Sequence, residues 1–246
     1  MKKLIGISIS TLLFIGCGKN IDYSGADFSA ATFINASPSG AIFNVVVDNI
    51  NQTATSLVYR ASTSYLNVRP GARNIIFRSN NPSKTVDYIT LSGENFETNK
   101  AATFIAYDTL LTTTGILKVV RLKDTLTAIS DGQIKVRFVP LAVNASAVDI
   151  TFLRTTVTPN DSVTISNQSY IGGTPTAARV NEISRFLQIP GGNYTIKQKI
   201  AGTQTVLTSN AITTTVGGIY KGYFTVYSTG TAQGQPLVIG VVRQFP

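Results

Sequence analysis

Few residues in this chain can do acid–base chemistry, and the nearest carboxylates are spaced as in a turn. Glu94 and Glu97 stand beside Lys100 in a stretch rich in Gly and Asn. Glycoside hydrolysis needs only two carboxylates, so such a pair is a conceivable catalytic set. At a separation of three residues within a polar loop, we interpret this pair as part of a solvated turn.

Most other groups that catalysis uses are missing from the sequence. There is no His, which is the usual general base and the commonest metal ligand, and there is one Cys. No Gly-x-Ser-x-Gly elbow, Ser-x-x-Lys pair, phosphate loop or Asp-x-Asp calcium loop occurs. Asp48, Asn49 and Asn51 offer oxygens that a hard cation accepts, but we interpret them as a turn cap. The sequence therefore predicts a non-enzyme without a cofactor or metal site.

The best candidate for ligand contact is a predicted strand near the C-terminus. Lys221, Tyr223, Thr225 and Tyr227 alternate along it, so they share one face. Exposed Tyr beside Lys can stack on a sugar ring and hydrogen-bond its hydroxyls, which makes Lys221, Tyr223 and Tyr227 possible ligand contacts. The simpler interpretation is a sheet face that packs against its neighbour or merely carries aromatic residues, and ligand contact is the alternative to it.

Three short motifs resemble the Asp-[Ser/Thr]-apolar sites at which Bacteroidetes attach O-linked glycans. They place the acceptor hydroxyls at Thr109, Thr125 and Ser162. Short motifs recur by chance in a chain rich in Thr, so O-glycosylation is a hypothesis. An intact mass of the mature protein that matches unmodified polypeptide plus lipid would contradict it.

The N-terminus is typical of an export signal. Lys2 and Lys3 precede an apolar run from Leu4 to Ile15, and Gly16-Cys17 ends the run. These twelve residues would span about 18 Å as a helix, too short for a bilayer core of about 30 Å. The segment 1–16 is therefore predicted to be a cleaved signal peptide.

The segment Leu13-Phe14-Ile15-Gly16-Cys17 resembles the lipobox of bacterial lipoproteins, with Phe14 where Leu is usual. The resemblance implies that Cys17 is acylated and becomes the mature N-terminus. Buried acyl CH₂ groups contribute about 0.8 kcal/mol each, so several chains hold a globular protein stably on a membrane. We expect an outer-membrane lipoprotein, on the periplasmic or the cell-surface face, with residues 17–30 as a lipidated tether.

Composition favours strands over helices. Charged residues are only 13% of the 246, and Thr, Ser, Asn, Val and Ile are abundant. Without the predicted signal, 19 Lys and Arg stand against 12 Asp and Glu, a net charge of +7. This excess can attract anionic glycans or headgroups, or it forms a basic surface without a particular partner. The basic residues form no run, so we expect no nucleic-acid partner.

Two Pro-Gly turns mark an internal repeat. Pro70-Gly71 and Pro190-Gly191 each lie between two β-rich runs. The segment 43–47 matches 148–152 at a displacement of 105 residues, and 104–107 matches 224–227 at 120. The sequence predicts domain 1 over 31–129 and domain 2 over 133–246, with the boundary at Ser130-Asp131-Gly132.

The predicted fold class is all-β, with two tandem Ig-like (transthyretin-like) antiparallel β-sandwich domains. Turn signals every 8–15 residues suit this architecture. In the first strand of domain 2, Ile134, Val136 and Phe138 alternate and should point into a core. Thr174-Pro175 is the one place where a helical turn is expected to begin.

These paired units resemble a bacterial envelope family, domain of unknown function 4397. The residues that carry the resemblance are Ala36-Ser37-Pro38, the 44–48 strand, Tyr65–Val68 with Pro70-Gly71, Val148-Asp149-Ile150, Phe186–Tyr194 and Tyr223–Val226. Pro140-Leu141-Ala142 departs from the family's early Ala-Ser-Pro, and Arg69 is inserted before Pro70. The resemblance implies a sandwich fold and an envelope location, and it brings no catalytic set.

We therefore expect a non-enzymatic, membrane-anchored envelope lipoprotein with a structural or protein-interaction role. The alternative is a carbohydrate- or small-ligand-binding lipoprotein of an outer-membrane uptake system. Its partners would be the membrane, through acylated Cys17, and an envelope protein or glycan. Flat polar sheets would favour the first function, and a deep groove with converging aromatic and polar groups would favour the second.

Overall fold

The computed structural model describes residues 28–83, 85–109, 117–155, 161–216 and 219–245, so the predicted signal and Cys17 lie outside the described residues. The first half of the chain contains β1 (Ser29–Asn35), β2 (Phe43–Val47), β3 (Ile50–Asn51), β4 (Leu66–Val68), β5 (Gly71–Ser79), β6 (Asp87–Phe96), β7 (Ala101–Tyr107) and β8 (Lys118–Asp124). The second half contains β9 (Gln133–Pro140), β10 (Val148–Arg154), β11 (Asp161–Gln168), α1 (Ala177–Ser184), β12 (Leu187–Pro190), β13 (Asn193–Ile200), β14 (Val206–Thr213), β15 (Thr215–Val216), β16 (Ile219–Tyr220), β17 (Tyr223–Thr229) and β18 (Val238–Phe245).

The two halves repeat one strand order. Sandwich 1 packs the sheet β4-β1-β7-β8 on the sheet β3-β2-β5-β6, and sandwich 2 packs β12-β9-β17-β18 on β11-β10-β13-β14. The predicted all-β fold with two sandwich domains is confirmed. The sheets are antiparallel except for one parallel pair in each sandwich, β1 with β7 and β9 with β17. β1 begins two residues before the predicted start of domain 1.

Each sandwich encloses its own apolar core, built from alternating strand residues. Phe33, Phe43, Phe77, Phe96 and Phe104 are among the buried members of core 1. Core 2 includes Ile134, Val136 and Phe138, as the alternation along β9 predicts, together with Ile150, Phe152, Ile196 and Phe224.

The Pro-Gly turns are corners at which the chain crosses from one sheet of a sandwich to the other. Pro70 leads from β4 into β5, and Pro190 ends β12 just before β13. Gly71 has a φ of 99°, in the left-handed region that glycine adopts at little cost. The Gly191 amide instead donates to the Gly132 carbonyl (2.7 Å), which ties the second corner to the domain boundary.

One sheet of each sandwich faces the other sandwich, and we call β4-β1-β7-β8 and β12-β9-β17-β18 the inner sheets. Their facing side chains form a third apolar cluster that joins the two halves: Ile34, Ala36, Ile105, Tyr107, Val120, Leu122, Val139, Leu141, Ile171, Ile183, Tyr227 and Val242. All seven residues of β1 and all seven of β17 are therefore buried. The central strands of the inner sheets are therefore covered on both faces, whereas the outer sheets are covered on one.

The helix α1 begins where Thr174-Pro175 predicts a helical turn. The Thr176 side chain caps it by accepting a hydrogen bond from the Arg179 amide (3.2 Å). Ile183 is buried in the apolar cluster between the inner sheets, and Val180 packs against that cluster. The helix thus closes one side of the joint between the sandwiches.

Candidate functional site

A cavity of about 800 Å³ lies at one end of the joint, beneath the segment 125–129 that leaves sandwich 1, and we call it the linker cavity. The start of β1, the turn between β6 and β7, the end of β8 and the start of β17 form its other walls. Its lining residues are Phe28, Ala30, Tyr65, Phe96, Glu97, Asn99, Lys100, Ala101, Ala102, Arg121, Lys123, Asp124, Thr125, Leu126, Thr127, Ala128, Ile129, Lys221 and Tyr223. Both sandwiches therefore contribute to one site.

Aromatic side chains and alanines make much of the wall. The Arg121 guanidinium lies 5.5 Å from the centre of the Phe96 ring, within reach of a cation–π interaction. Tyr223 contacts the Phe186 ring edge-on at 4.9 Å, and its hydroxyl donates to the Thr127 carbonyl. Phe28 and Leu126 are 40% and 36% exposed. The cavity thus offers apolar surface that the protein itself leaves uncovered.

The charged residues of the wall fall into paired and unpaired groups. Arg121 pairs with Glu94 (3.2 Å), and Lys221 pairs with Asp131 (3.3 Å). Within the described ranges, no carboxylate lies within ion-pair distance of Lys100 or Lys123.

Beside the cavity, a buried polar network crosses from one inner sheet to the other. Arg137 of β9 and Asp124 of β8 form an ion pair (2.7 Å) with both side chains fully buried. The Arg137 guanidinium also donates to the Thr103 hydroxyl (2.7 Å) and the Thr225 hydroxyl (2.8 Å). Gln244 joins through its amide nitrogen, which donates to Thr103 Oγ1. The arrangement pairs the buried charges of Arg137 and Asp124 and ties the two sandwiches together.

Tyr65 connects this network to the cavity. Its hydroxyl donates to Asp124 Oδ2 (2.7 Å), and its ring lines the wall. Burial and the neighbouring Asp124 carboxylate raise the pKa of Tyr65 well above its ordinary value. The hydroxyl therefore stays protonated and serves as a hydrogen-bond donor.

The structure separates the three residues predicted as ligand contacts. Lys221 and Tyr223 line the linker cavity. Tyr227 is 1% exposed, in the apolar cluster between the inner sheets, with its ring against Gly240. Tyr223 is also only 2% exposed. Of the two interpretations of this face, the packed sheet face describes both tyrosines, because the second sandwich packs its inner sheet on the first. Only the end of that face with Lys221 and Tyr223 reaches the cavity.

The three predicted O-glycan acceptors lie in different surroundings. Thr125 is exposed on the linker wall of the cavity, and Ser162 is exposed on the edge strand β11. Thr109 is half-buried, and its hydroxyl lies 3.4 Å from Asp108 Oδ1. Burial tends to raise the pKa of Asp108, but Lys118, the Thr109 amide and Tyr170 bond to the carboxylate and lower the pKa overall. O-glycosylation stays a prediction at all three.

The acidic groups considered for catalysis or cation binding are used in turns and ion pairs. Glu94 lies in strand β6 and not in the predicted turn, and it pairs with Arg121 (3.2 Å). Asp48 Oδ1 accepts the Asn74 amide (3.0 Å) and Oδ2 pairs with Arg73 (3.1 Å), so this aspartate caps a turn. The backbone hydrogen bond from Asn74 is the largest cause that lowers the pKa of Asp48. In the part of the chain that the structure describes, no group of three potential metal ligands occurs.

Sequence reasoning missed Arg137 and the linker cavity. Arg137 alternates with the core residues of β9, so alternation placed it on the opposite face of the strand without saying what covers that face. A signal for two-sided burial was present, because β1, β7 and β17 contain no charged residue. No helix within the described ranges is long and apolar enough to cross a membrane.

The chain was compared with family models, curated proteins and solved structures. A family model described as Domain of unknown function (DUF4397) matches residues 29–151, from β1 into β10. None of the curated proteins matches the chain. One similar solved structure is that of a candidate cell adhesion protein from Bacteroides uniformis ATCC 8492, with 7% identity and a TM-score of 0.23, over 89% of this chain and 99% of that chain. A TM-score this low carries no conclusion about fold or function.

Proposed function

We propose that this chain, which belongs to the DUF4397 family, is a non-enzymatic envelope lipoprotein that presents two joined β-sandwiches to protein partners. The observation that carries the proposal is the joint between the inner sheets. Its apolar cluster and the buried Arg137–Asp124 pair hold both sandwiches in one arrangement. A fixed arrangement presents a constant surface at little entropic cost on binding.

The outer sheets are the surfaces available to such partners. β11 and β14 are the two edges of the outer sheet of sandwich 2, and their exposed positions are mostly Ser, Thr and Asn. Val206 and Leu207 of β14 are 46% and 43% exposed. An edge strand with exposed apolar side chains is suited to pairing with a strand of another protein.

The membrane anchor is tested by the variant Cys17→Ser. We expect it to leave the membrane fraction, because the acyl chains supply the attachment. Protein that stays membrane-bound after a carbonate wash would contradict the anchor. Protease treatment of intact cells would then assign the exposed face of the membrane.

The interaction role is tested by a photo-crosslinking residue placed at Leu207 in intact cells. We expect the probe at Leu207 to form discrete adducts with a partner protein. A probe at Ile50 of the short β3 in sandwich 1 (65% exposed) tests the corresponding outer sheet of the other half. The absence of a discrete adduct at both positions would contradict the role.

A second candidate function, small-ligand binding, is favoured by the linker cavity. Its aromatic and charged residues converge from both sandwiches. A volume of about 800 Å³ falls within the range of about 300–1,000 Å³ typical of small-molecule sites. Binding at this site and protein contact at the outer sheets use different surfaces, so the two functions are compatible.

A further inference from the structure

The linker cavity combines uncovered apolar surface with unpaired positive charge. Phe28 and Leu126 present exposed apolar side chains, the buried Phe96 lies behind the wall, and small alanines leave room between them. A ligand with an apolar body would remove this surface from water, which is favourable in proportion to the area covered.

The charges of the wall favour an anion over a cation. Six charged residues line the cavity, four of them basic: Lys100, Arg121, Lys123 and Lys221 against Glu97 and Asp124. Arg121, Lys221 and Asp124 already have partners of opposite charge. Among the described groups, the unpaired charges that remain are Lys100 and Lys123 against Glu97, so the uncompensated charge is positive.

The hydroxyls of the two tyrosines in the wall are already used within the protein. Tyr65 donates to Asp124, and Tyr223 donates to the Thr127 carbonyl. A sugar, which needs many hydrogen-bonding partners, would find these groups engaged. Besides the neutral donors of Asn99 and Thr125, the Lys100 and Lys123 ammonium groups are charged donors available to a ligand.

We propose that the linker cavity binds an amphiphilic carboxylate, with its apolar body against Phe28 and Leu126 and its carboxylate at Lys100 or Lys123. This inference rests on small-ligand binding as the second candidate function and assigns its ligand class. Charge-assisted hydrogen bonds to an ammonium orient the headgroup, and the apolar walls select the body.

The test measures binding of decanoate, and of uncharged 1-decanol, to the Cys17→Ser protein by titration calorimetry. This variant removes the acyl chains that would compete for an apolar site. We expect saturable binding at one site per chain, with decanoate at least about tenfold tighter than decanol. Decanoate affinity should fall as salt is raised, because exposed charges are screened.

Two variants locate the site. The double variant Lys100→Gln with Lys123→Gln should lower the affinity for decanoate about tenfold and leave the affinity for decanol unchanged, because the variant removes only the positive charge. Ala128→Trp, on the exposed linker wall, should abolish binding of both by filling the cavity. The matched control is Lys197→Gln on the outer strand β13, which should change neither affinity. Circular dichroism of each variant confirms that it is folded.

The outcomes separate the ligand class from the site. Equal affinity for decanol and decanoate would overturn the proposed carboxylate and leave the site standing. Binding that survives Ala128→Trp in a folded protein would overturn the site. If neither compound binds, both this inference and small-ligand binding fail, while the membrane anchor and protein contacts are untouched.

Discussion

The two sandwiches share a strand order but fill the same core position with opposite chemistry. Val45 pairs with Phe77 in sandwich 1, and Ile150 pairs with Gln198 at the matching place in sandwich 2. Phe77 packs edge-on against Phe43 (5.2 Å between ring centres) and against Phe33 (6.0 Å). Gln198 is fully buried, and its amide oxygen and nitrogen have no hydrogen-bond partner among the described residues.

This difference indicates where each half obtains its stability. Buried aromatic rings bring large area and favourable ring geometry to core 1. An amide without partners opposes folding by about 1–3 kcal/mol, so core 2 carries a defect that core 1 lacks. Sandwich 2 also contributes Arg137 to the joint, where it bonds to Thr103 and Asp124 of sandwich 1. We infer that sandwich 2 depends on its neighbour more than sandwich 1 does.

The largest expected effect comes from giving sandwich 1 the residue of sandwich 2. Phe77→Gln removes a buried ring, which costs about 3–5 kcal/mol, and adds an unsatisfied amide. We expect the free energy of unfolding, measured with urea and circular dichroism, to fall by about 5 kcal/mol. Phe77→Leu, which keeps the site apolar, is the control and should cost clearly less. Similar losses for both variants would mean that polarity at this position has little weight.

The next effect tests the joint. Arg137→Met leaves Asp124 buried without its partner, for which the expected cost is about 3–5 kcal/mol. Asp124→Ala should be similarly harmful, and the double variant should cost less than the sum, with a coupling of about 0.5–3 kcal/mol. Additive losses would show that the pair is not coupled. An unfolding curve that splits into two transitions would assign the lost stability to the contact between sandwiches.

Replacing the buried amide of core 2 by an apolar side chain should change the free energy of unfolding less than the variants above, and should raise it. Gln198→Met has similar length and no polar group, so we expect the free energy of unfolding to rise by about 1–2 kcal/mol. Gln188→Met on the exposed face of β12 is the matched control and should stay within about 0.5 kcal/mol. If Gln198→Met were destabilising, the amide would have a partner that the structure does not describe.

Alternation and turn chemistry were enough to predict the repeat, the sandwich fold and the inward face of β9. The linker cavity could not be predicted, because its walls come from segments as distant in sequence as Phe28 and Tyr223. Tyr227 shows the same limit, since alternation states which residues share a face and not what covers that face. The burial of Arg137 depends on how the sandwiches dock, and strand periodicity carries no information about docking.

The corners at the two Pro-Gly turns make the last and smallest difference. Two residues before the matching core positions Ile75 and Ile196, sandwich 1 has Arg73 and sandwich 2 has Tyr194. Both side chains bond back to the turn, Arg73 to the Pro70 carbonyl and the Tyr194 hydroxyl to the Pro190 carbonyl. A permanently charged guanidinium therefore makes the bond to the turn carbonyl in sandwich 1, and an ionisable hydroxyl makes it in sandwich 2.

Only the second corner should therefore respond to alkaline pH. Burial raises the pKa of Tyr194 from 10.0 to about 12, so the folded state favours the protonated hydroxyl. Its contribution to stability is complete below about pH 10 and is lost as the pH rises through about 12. Other buried tyrosines act in the same direction, so the informative measurement is the difference between the parent protein and Tyr194→Phe. We expect the free energy of unfolding to fall less steeply between pH 10 and 12 for Tyr194→Phe than for the parent protein. Equal slopes for the two proteins would mean that ionisation of the Tyr194 hydroxyl does not contribute to the loss of stability.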